Sequence, residues 1–230
     1  GHFNLSYREL LSNQLGLRTG TSITSSQDRA SLGVSSMRKR LTGYHTKLAL
    51  DYHHSDHVNI VFGGEVMGRS IDQTLIDETI DERIASVFVE SEFFLSTSLA
   101  IKTGIRAETD NLRSSTTISP RFSTAYKTGE HSQVTLAFGR FYQSPTTQVL
   151  LTDPSRTPEI ANHYIANYQW VKEGQSFRME VYEKRYEDLV KYSNIYDPRT
   201  FQSNGHGFAR GLDVFWRDNK SIQNLDYWVS

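Results

Sequence analysis

No cysteine occurs in the 230 residues, so the chain can build neither a disulfide framework nor a thiolate metal site. Charge of one sign is missing too: 25 Lys and Arg stand interspersed with 26 Asp and Glu, a formal net charge of −1. That leaves no basic footprint for nucleic acid. No apolar run approaches the roughly 18 residues that a membrane-spanning helix needs. Strands that cross a bilayer as a barrel leave no such run, so only helical spans are excluded. Nor does any stretch show the pattern of an α-helix of ordinary length. Proline is sparse, with five residues, and Pro145, Pro154 and Pro158 fall together. The opening GHFNLSYREL lacks the regions of a signal peptide, which implies a removed leader or an excerpt.

What is present is alternation. In the stretch Gly43 to Met67, Tyr44, Thr46, Leu48, Leu50 and Tyr52 point one way and His45, Lys47, Asp51 and His53 the other. After a polar turn at Ser55 and Asp56, the apolar side resumes through Val58, Ile60, Phe62 and Val66. Side chains along a strand alternate with a period of two, so this is a hairpin with one apolar and one polar face. The unit repeats. Ala85, Val87, Val89 and Phe93 turn back through Leu99, Ile101, Thr103 and Ile105, with Ser86, Glu90, Lys102, Arg106 and Glu108 opposite. Ile118, Phe122, Thr124 and Tyr126 return through Val134, Leu136, Phe138 and Tyr142. Tyr164, Ala166, Tyr168 and Trp170 return through Phe177, Met179 and Val181, and Leu212, Val214 and Trp216 open a last hairpin. Weaker alternation covers Phe3 to Tyr7 and Leu15 to Ile23, followed by a polar run to about Arg40.

The connections are unequal. Those after Tyr52, Phe94, Lys127, Val171 and Trp216 are short and polar. Those at the opposite ends are expected to be long: an acid-rich loop between Arg69 and Asp81, a polar link at Asn111 to Ser115, a proline-bearing loop from Ser144 to Glu159, and a loop from about Asp188 to Gly205. The spacing predicts an all-β antiparallel meander of about a dozen strands, each near the 9–11 residues that a tilted strand needs to cross a bilayer. Short turns at one end and long loops at the other is the pattern of a transmembrane β-barrel. Tyr44, Tyr52, Phe93, Tyr126, Tyr142, Trp170 and Trp216 fall near strand ends, where aromatic girdles meet lipid headgroups. The alternative is a soluble β-sandwich in which the apolar faces form a core. Strand length and the many charges on the polar faces favour the barrel.

Several clusters invite chemistry. His45, Asp51, His53, Asp56, His54 and His57 carry metal-ligating groups, but His53 and His54 are adjacent on a strand and face opposite sides, so a polar rim turn is the plainer reading. Glu90, Glu92, Glu108 and Asp110 could act as acid and base, yet Lys102 and Arg106 beside them point to salt bridges. The run from Asp72 to Glu82 matches no EF-hand spacing. Gly63 and Gly64 within a strand mark a bulge or a close backbone approach. No nucleophile elbow or phosphate loop occurs, so the chain is not expected to be an enzyme, and it calls for no metal or cofactor.

ISPR at Ile118 to Arg121, GRFYQSP at Gly139 to Pro145, and Pro158, Glu159, His163 and Tyr164 resemble segments of TonB-dependent outer-membrane receptors, particularly the Bacteroidetes type. So do YEKRYEDLV at Tyr182 to Val190, ARGLD at Ala209 to Asp213 and YWVS at Tyr227 to Ser230. These segments span most of residues 118 to 230. Plugged transporters have about 22 strands, so the resemblance implies a partial barrel domain, residues 1–230, without the plug domain or the terminal strand. It implies a bacterial outer-membrane location and energy-dependent uptake of a siderophore, cobalamin, glycan or peptide. The implied partners are outer-membrane lipid, a TonB-type energy-transducing complex acting through the plug, and a small nutrient ligand. A passive porin remains the rival within the membrane, and a soluble β-rich binding protein outside it. In such receptors the lumen wall and outer loops capture substrate. Alternation places Phe141 and Gln143 on that wall, and the loop residues Tyr192, Tyr196 and Arg199 complete the candidate substrate contacts.

Overall fold

The computed structural model describes residues 1–32, 35–73, 78–113 and 116–230. Twelve strands follow in order: β1 (His2–Leu10), β2 (Leu15–Leu32), β3 (Ser35–Ser55), β4 (Val58–Gln73), β5 (Glu78–Phe94), β6 (Leu99–Asp110), β7 (Thr116–Gly129), β8 (Ser132–Gln143), β9 (Glu159–Lys172), β10 (Gln175–Lys191), β11 (Gln202–Asp218) and β12 (Tyr227–Val229). Each pairs with the next, giving one antiparallel meander in chain order. One six-residue helix, α1 (Thr147–Thr152), lies between β8 and β9, and a 3-10 turn at Pro198–Thr200 lies between β10 and β11. The short turns fall where the alternation predicts. In the β9–β10 turn, Glu173 and Gly174 both take positive φ, 43° and 86°, the geometry of a two-residue type I′ turn that glycine favours.

Several strands are longer than expected. β3 runs 21 residues and β2 runs 18, about twice a bilayer crossing, so the polar run up to Arg40 is strand and not connection. The acid-rich segment after Arg69 also corrects to strand: β4 continues to Gln73 and β5 begins at Glu78, while residues 74–77 lie outside the described residues, as do 114–115 of the next connection. The second long loop shrinks to residues 192–201. The reason is tertiary: Ile71 and Ile80 face each other across the β4–β5 ladder and are buried, and that burial holds an otherwise polar segment extended.

Among the described residues the apolar face carries no covering layer. Leu48, Val87, Ile105, Leu136, Val181 and Leu212 are between 47% and 64% exposed, whereas a soluble sandwich would bury them. The small core sits elsewhere: Leu150 and Leu151 of α1 pack with Ile80, and Leu112 joins them. Ile71, Ile80 and Glu82 share the polar-side parity of their strands, so α1 folds in over the polar face at the long-loop end.

The register also gives the tilt. Following paired residues from β3, Tyr52 leads to Ile60, Ser91, Thr103, Phe122, Phe138, Tyr164 and Glu183. The row leaves an aromatic at the turn end of the apolar band and arrives at a carboxylate at its loop end. On β9 the turn-end aromatic is Trp170, six residues below Tyr164 and six strands from β3. With about 3.3 Å per residue and 4.8 Å per strand, a level band needs strands inclined by about 35°, within the range of membrane barrels. Trp170 stacks parallel on Trp216 with centroids 6.2 Å apart, beside Phe177, so the turn-end girdle is continuous across three strands.

Candidate functional site

Phe141 and Gln143 are on the polar face, as alternation predicts, since their partners Ala161 and Glu159 share that parity on β9. Phe141 is the centre of a cluster. The His163 ring lies 4.8 Å from it, and the Arg121 guanidinium lies over it at 5.0 Å. These side chains line a groove of about 220 Å³ with Glu90 and Lys102, which are themselves paired at 2.7 Å. Gly139 keeps the ring in place, because a Cβ there would meet Phe141 at 2.7 Å. Arg121 and His163 belong to this cluster but were not among the predicted contacts. They share the parity of Phe141 on neighbouring strands, and register, not composition, was the signal.

Elsewhere on the same wall, Glu65 is the hub. It accepts from His45 Nε2 at 3.2 Å, lies 3.8 Å from Lys47 Nζ, and forms an ion pair with Arg106. Arg106 also binds Glu108 at 2.8 Å. The sequence expectation of salt bridges holds for Glu90 and Glu108. The histidine cluster is not brought together: His45 faces Glu65, His53 pairs with Asn59 at 2.7 Å, and His54 lies on the other side of the strand beside Tyr52. Gly63 resolves as a close approach in a regular register, since a Cβ there would sit 2.2 Å from the Leu48 carbonyl oxygen.

At the loop end a buried carboxylate anchors the inward fold. Glu82 accepts from Arg69 Nε at 2.5 Å and from the Ser144 hydroxyl at 2.9 Å, and it meets Arg113 at 3.4 Å. Arg113 reaches Asp110 and donates to Ser144 Oγ at 2.8 Å and to the Arg156 carbonyl at 3.3 Å. The network pins both ends of the β8–β9 loop onto the wall. Beneath it lies a cavity of about 820 Å³ bounded by His45, Met67, Arg69, Glu82, Gln143 and Ser144, which places Gln143 at its edge.

Two loops then meet. The Thr152 hydroxyl donates to the Ile195 carbonyl at 2.9 Å, and Arg156 lies over the buried Phe201 ring at 5.6 Å. Tyr192 packs against the same ring at 5.5 Å, whereas Tyr196 and Arg199 are well exposed. Burial pushes the Asp153 carboxyl up, but hydrogen bonds from Ser155 and the Arg156 guanidinium outweigh it and hold the group below the usual carboxylate range. Arg199, through side chain and backbone N–H, holds Asp197 low in the same way. Of the predicted contacts, Phe141 and Gln143 line the wall, Tyr192 braces the loops, and Tyr196 and Arg199 are exposed at the loop surface. The structure does not bring the five to one point.

A family model described as TonB dependent receptor-like, beta-barrel matches residues 1–229. No curated protein matches the chain. Among solved structures, the FrpB iron transporter from Neisseria meningitidis (F3-3 variant) superposes with a TM-score of 0.81 at 10% identity, covering 96% of this chain and 41% of that one. The siderophore receptor PirA from Pseudomonas aeruginosa gives 0.71 at 12%, covering 99% and 54%. The copper transporter OprC gives 0.73 at 12%, covering 96% and 43%. This chain therefore spans 41% to 54% of the length of these three structures, and at such identities the likeness concerns the fold. The family match assigns the two faces: in such a barrel the exposed apolar belt meets lipid, and the charged face with α1 folded over it is the lumen wall. The match to a receptor family is also in keeping with a sequence that carries no hydrolase or phosphate-loop motif. Since the barrel model matches residues 1–229 of its 230, the chain belongs to the TonB-dependent receptor-like β-barrels of the bacterial outer membrane.

Proposed function

We propose that this chain forms the wall and outer loops of an energy-dependent nutrient importer. A scarce small ligand is captured at the loop end and passed along the charged lumen wall. A plug domain engages a TonB-type energy-transducing complex, and residues 1–230 are part of the barrel domain of that longer receptor. The observation that carries the reading is the inward fold of the β8–β9 loop, pinned through Glu82, Arg113 and Ser144 above a cavity bounded by charged wall residues. A passive pore serves best with an open lumen, whereas a capture device needs ordered loops over a recess. Phe141, Gln143 and Arg121 are the wall contacts of this reading, and Tyr192, Tyr196 and Arg199 its loop contacts. Iron–siderophore, copper, cobalamin, glycan and peptide cargo all fit a wall of this charge. The ISPR and ARGLD segments favour an importer of the Bacteroidetes kind.

Uptake by cells carrying the full-length receptor tests this. Accumulation of the cargo should stop when a protonophore collapses the inner-membrane gradient. Uptake that continues at an unchanged rate would identify a passive porin.

A further inference from the structure

The lumen wall divides into two sectors by how its charges are used. On β2 to β6 they satisfy one another. Arg18 of β2 binds Asp51 of β3 through two hydrogen bonds of 2.5 and 2.6 Å. Glu65 gathers His45, Lys47 and Arg106, and Arg106 shares its charge with Glu108. Glu65 and Arg106 are largely covered as well. Charges matched and covered in this way have little left to offer a passing solute.

On β7 to β10 the cations are not matched. Arg121 and His163 flank the Phe141 ring at 5.0 and 4.8 Å. Lys184, the register partner of His163, lies over the Tyr182 ring at 5.2 Å. Neither Arg121 nor Lys184 has a carboxylate within ion-pair distance among the described residues. The carboxylates of this sector sit apart. Glu159 accepts from the Val190 N–H, while Glu180, four residues from Lys184 toward the turn end, accepts from Asn167 and stands opposite Asp213. From Phe141 the groove runs toward the turn end over Gly139, Ala137 and Ser123, and it finishes at the matched Lys102–Glu90 pair. Stacking on Phe141 occupies one face of the Arg121 guanidinium and leaves its N–H edge free to take a carboxylate or phosphate.

We propose that this groove is the anion-selective face of the lumen, along which a cargo bearing a carboxylate or phosphate is drawn, bound by Arg121 and attracted by Lys184. The β2–β6 sector is electrically closed and takes no part. The inference rests on the importer reading of the preceding section and narrows it. A hydrated metal cation is repelled at the groove, whereas an acid, free or chelating a metal, is attracted.

Residues 1–230 contain no cysteine, so a single one can report the local field. In cells carrying the full-length receptor, Ala137→Cys places it in the groove, and Ser22→Cys places it beside His45 on the other sector. Each is labelled with an anionic sulfonatoethyl and a cationic trimethylammonioethyl methanethiosulfonate, and both rates are divided by those with free cysteine. Ala137→Cys should react about tenfold faster with the anionic reagent, and adding Arg121→Gln with Lys184→Gln should bring that ratio to about one. Ser22→Cys should give a ratio of about one throughout. No preference at Ala137→Cys, an equal preference at Ser22→Cys, or a preference that survives the double replacement overturns the proposal. If Ala137→Cys yields no labelled receptor, Ala161→Cys, the register partner of Phe141 at the head of the groove, decides by the same ratio. Uptake that continues under a protonophore would remove the importer reading and leave these ratios standing, so the two failures are told apart.

Discussion

Glu82 in β5 and Arg113 in the β6–β7 connection stand 31 residues apart in sequence and meet at 3.4 Å, each with 3% of its side chain exposed. The pair closes a circuit from the wall through Ser144 to the β8–β9 loop. Replacing Glu82 with Gln removes the charge that balances Arg69 and Arg113, while Asp110 still holds Arg113 at 2.5 Å. Breaking a buried pair costs about 3 kcal/mol at the lower end of the usual range. Glu82→Gln should therefore release the loop, and limited proteolysis of the folded receptor should gain cuts within residues 144–158. An unchanged digestion pattern would show that the apolar contacts of α1 suffice alone.

The assignment of faces is open to a paired substitution. Leu48 and Ile105 lie mid-band on the exposed apolar side, 47% and 48% exposed. Leu48→Arg or Ile105→Arg should cost about 2–4 kcal/mol in equilibrium refolding into vesicles. Ser123→Arg, on the opposite parity beside Lys102, should cost much less. Equal costs on the two faces would contradict the assignment.

At Gly63 the ladder brings a neighbouring backbone too close for any side chain. A Cβ would meet the Leu48 carbonyl oxygen at 2.2 Å and the Ala49 Cα at 2.9 Å, whereas at Gly43 the nearest atom is 3.4 Å away. Gly63→Ala should destabilise the barrel by about 1–3 kcal/mol, and Gly43→Ala should lie within about 0.5 kcal/mol of neutral. Denaturant-induced unfolding in detergent compares the two, and similar midpoints would refute the close approach.

The loop contacts carry a pH dependence of definite sign. Asp153 and Asp197 are held below their ordinary value of 3.8, so the unfolded segments bind protons first as acid is added. The stabilisation these groups give is complete above about pH 4–5 and is lost as pH falls through their lowered values. Proteolytic protection of the two loops should be constant from pH 7 to 5 and decline below about pH 4 with an acid-active protease. A decline centred near pH 6 would point to histidine instead.

How much of this was legible in the sequence depends on range. The two faces of the main hairpins, the short turns and the aromatic girdle follow from period-two patterning, which is local, and Trp170 and Trp216 could be placed without coordinates. The extent of β4 and β5 could not, because Asp72, Asp81 and Glu82 read as a solvated loop until Ile71 and Ile80 are seen paired and buried, with Ile80 packed against Leu150. Helix α1 is only six residues long, and its one sequence signal was the apolar run Val149 to Leu151 between prolines. The polar wall was half legible. Parity placed Phe141 and Gln143 on it, while the neighbours Arg121 and His163 and the Glu82–Arg113 circuit depend on which strands become neighbours.

The most direct test of the central claim, that the exposed apolar face of this chain is the lipid face of an outer-membrane barrel, is fractionation of cells carrying the full-length protein. The outer-membrane fraction would be run boiled and unboiled on a denaturing gel. The account predicts recovery in that fraction and a mobility shift on boiling, as a closed barrel resists detergent until heated. Recovery in the soluble fraction with a single mobility would contradict it, and would require Leu48, Val87 and Val181 to be covered by protein instead of lipid.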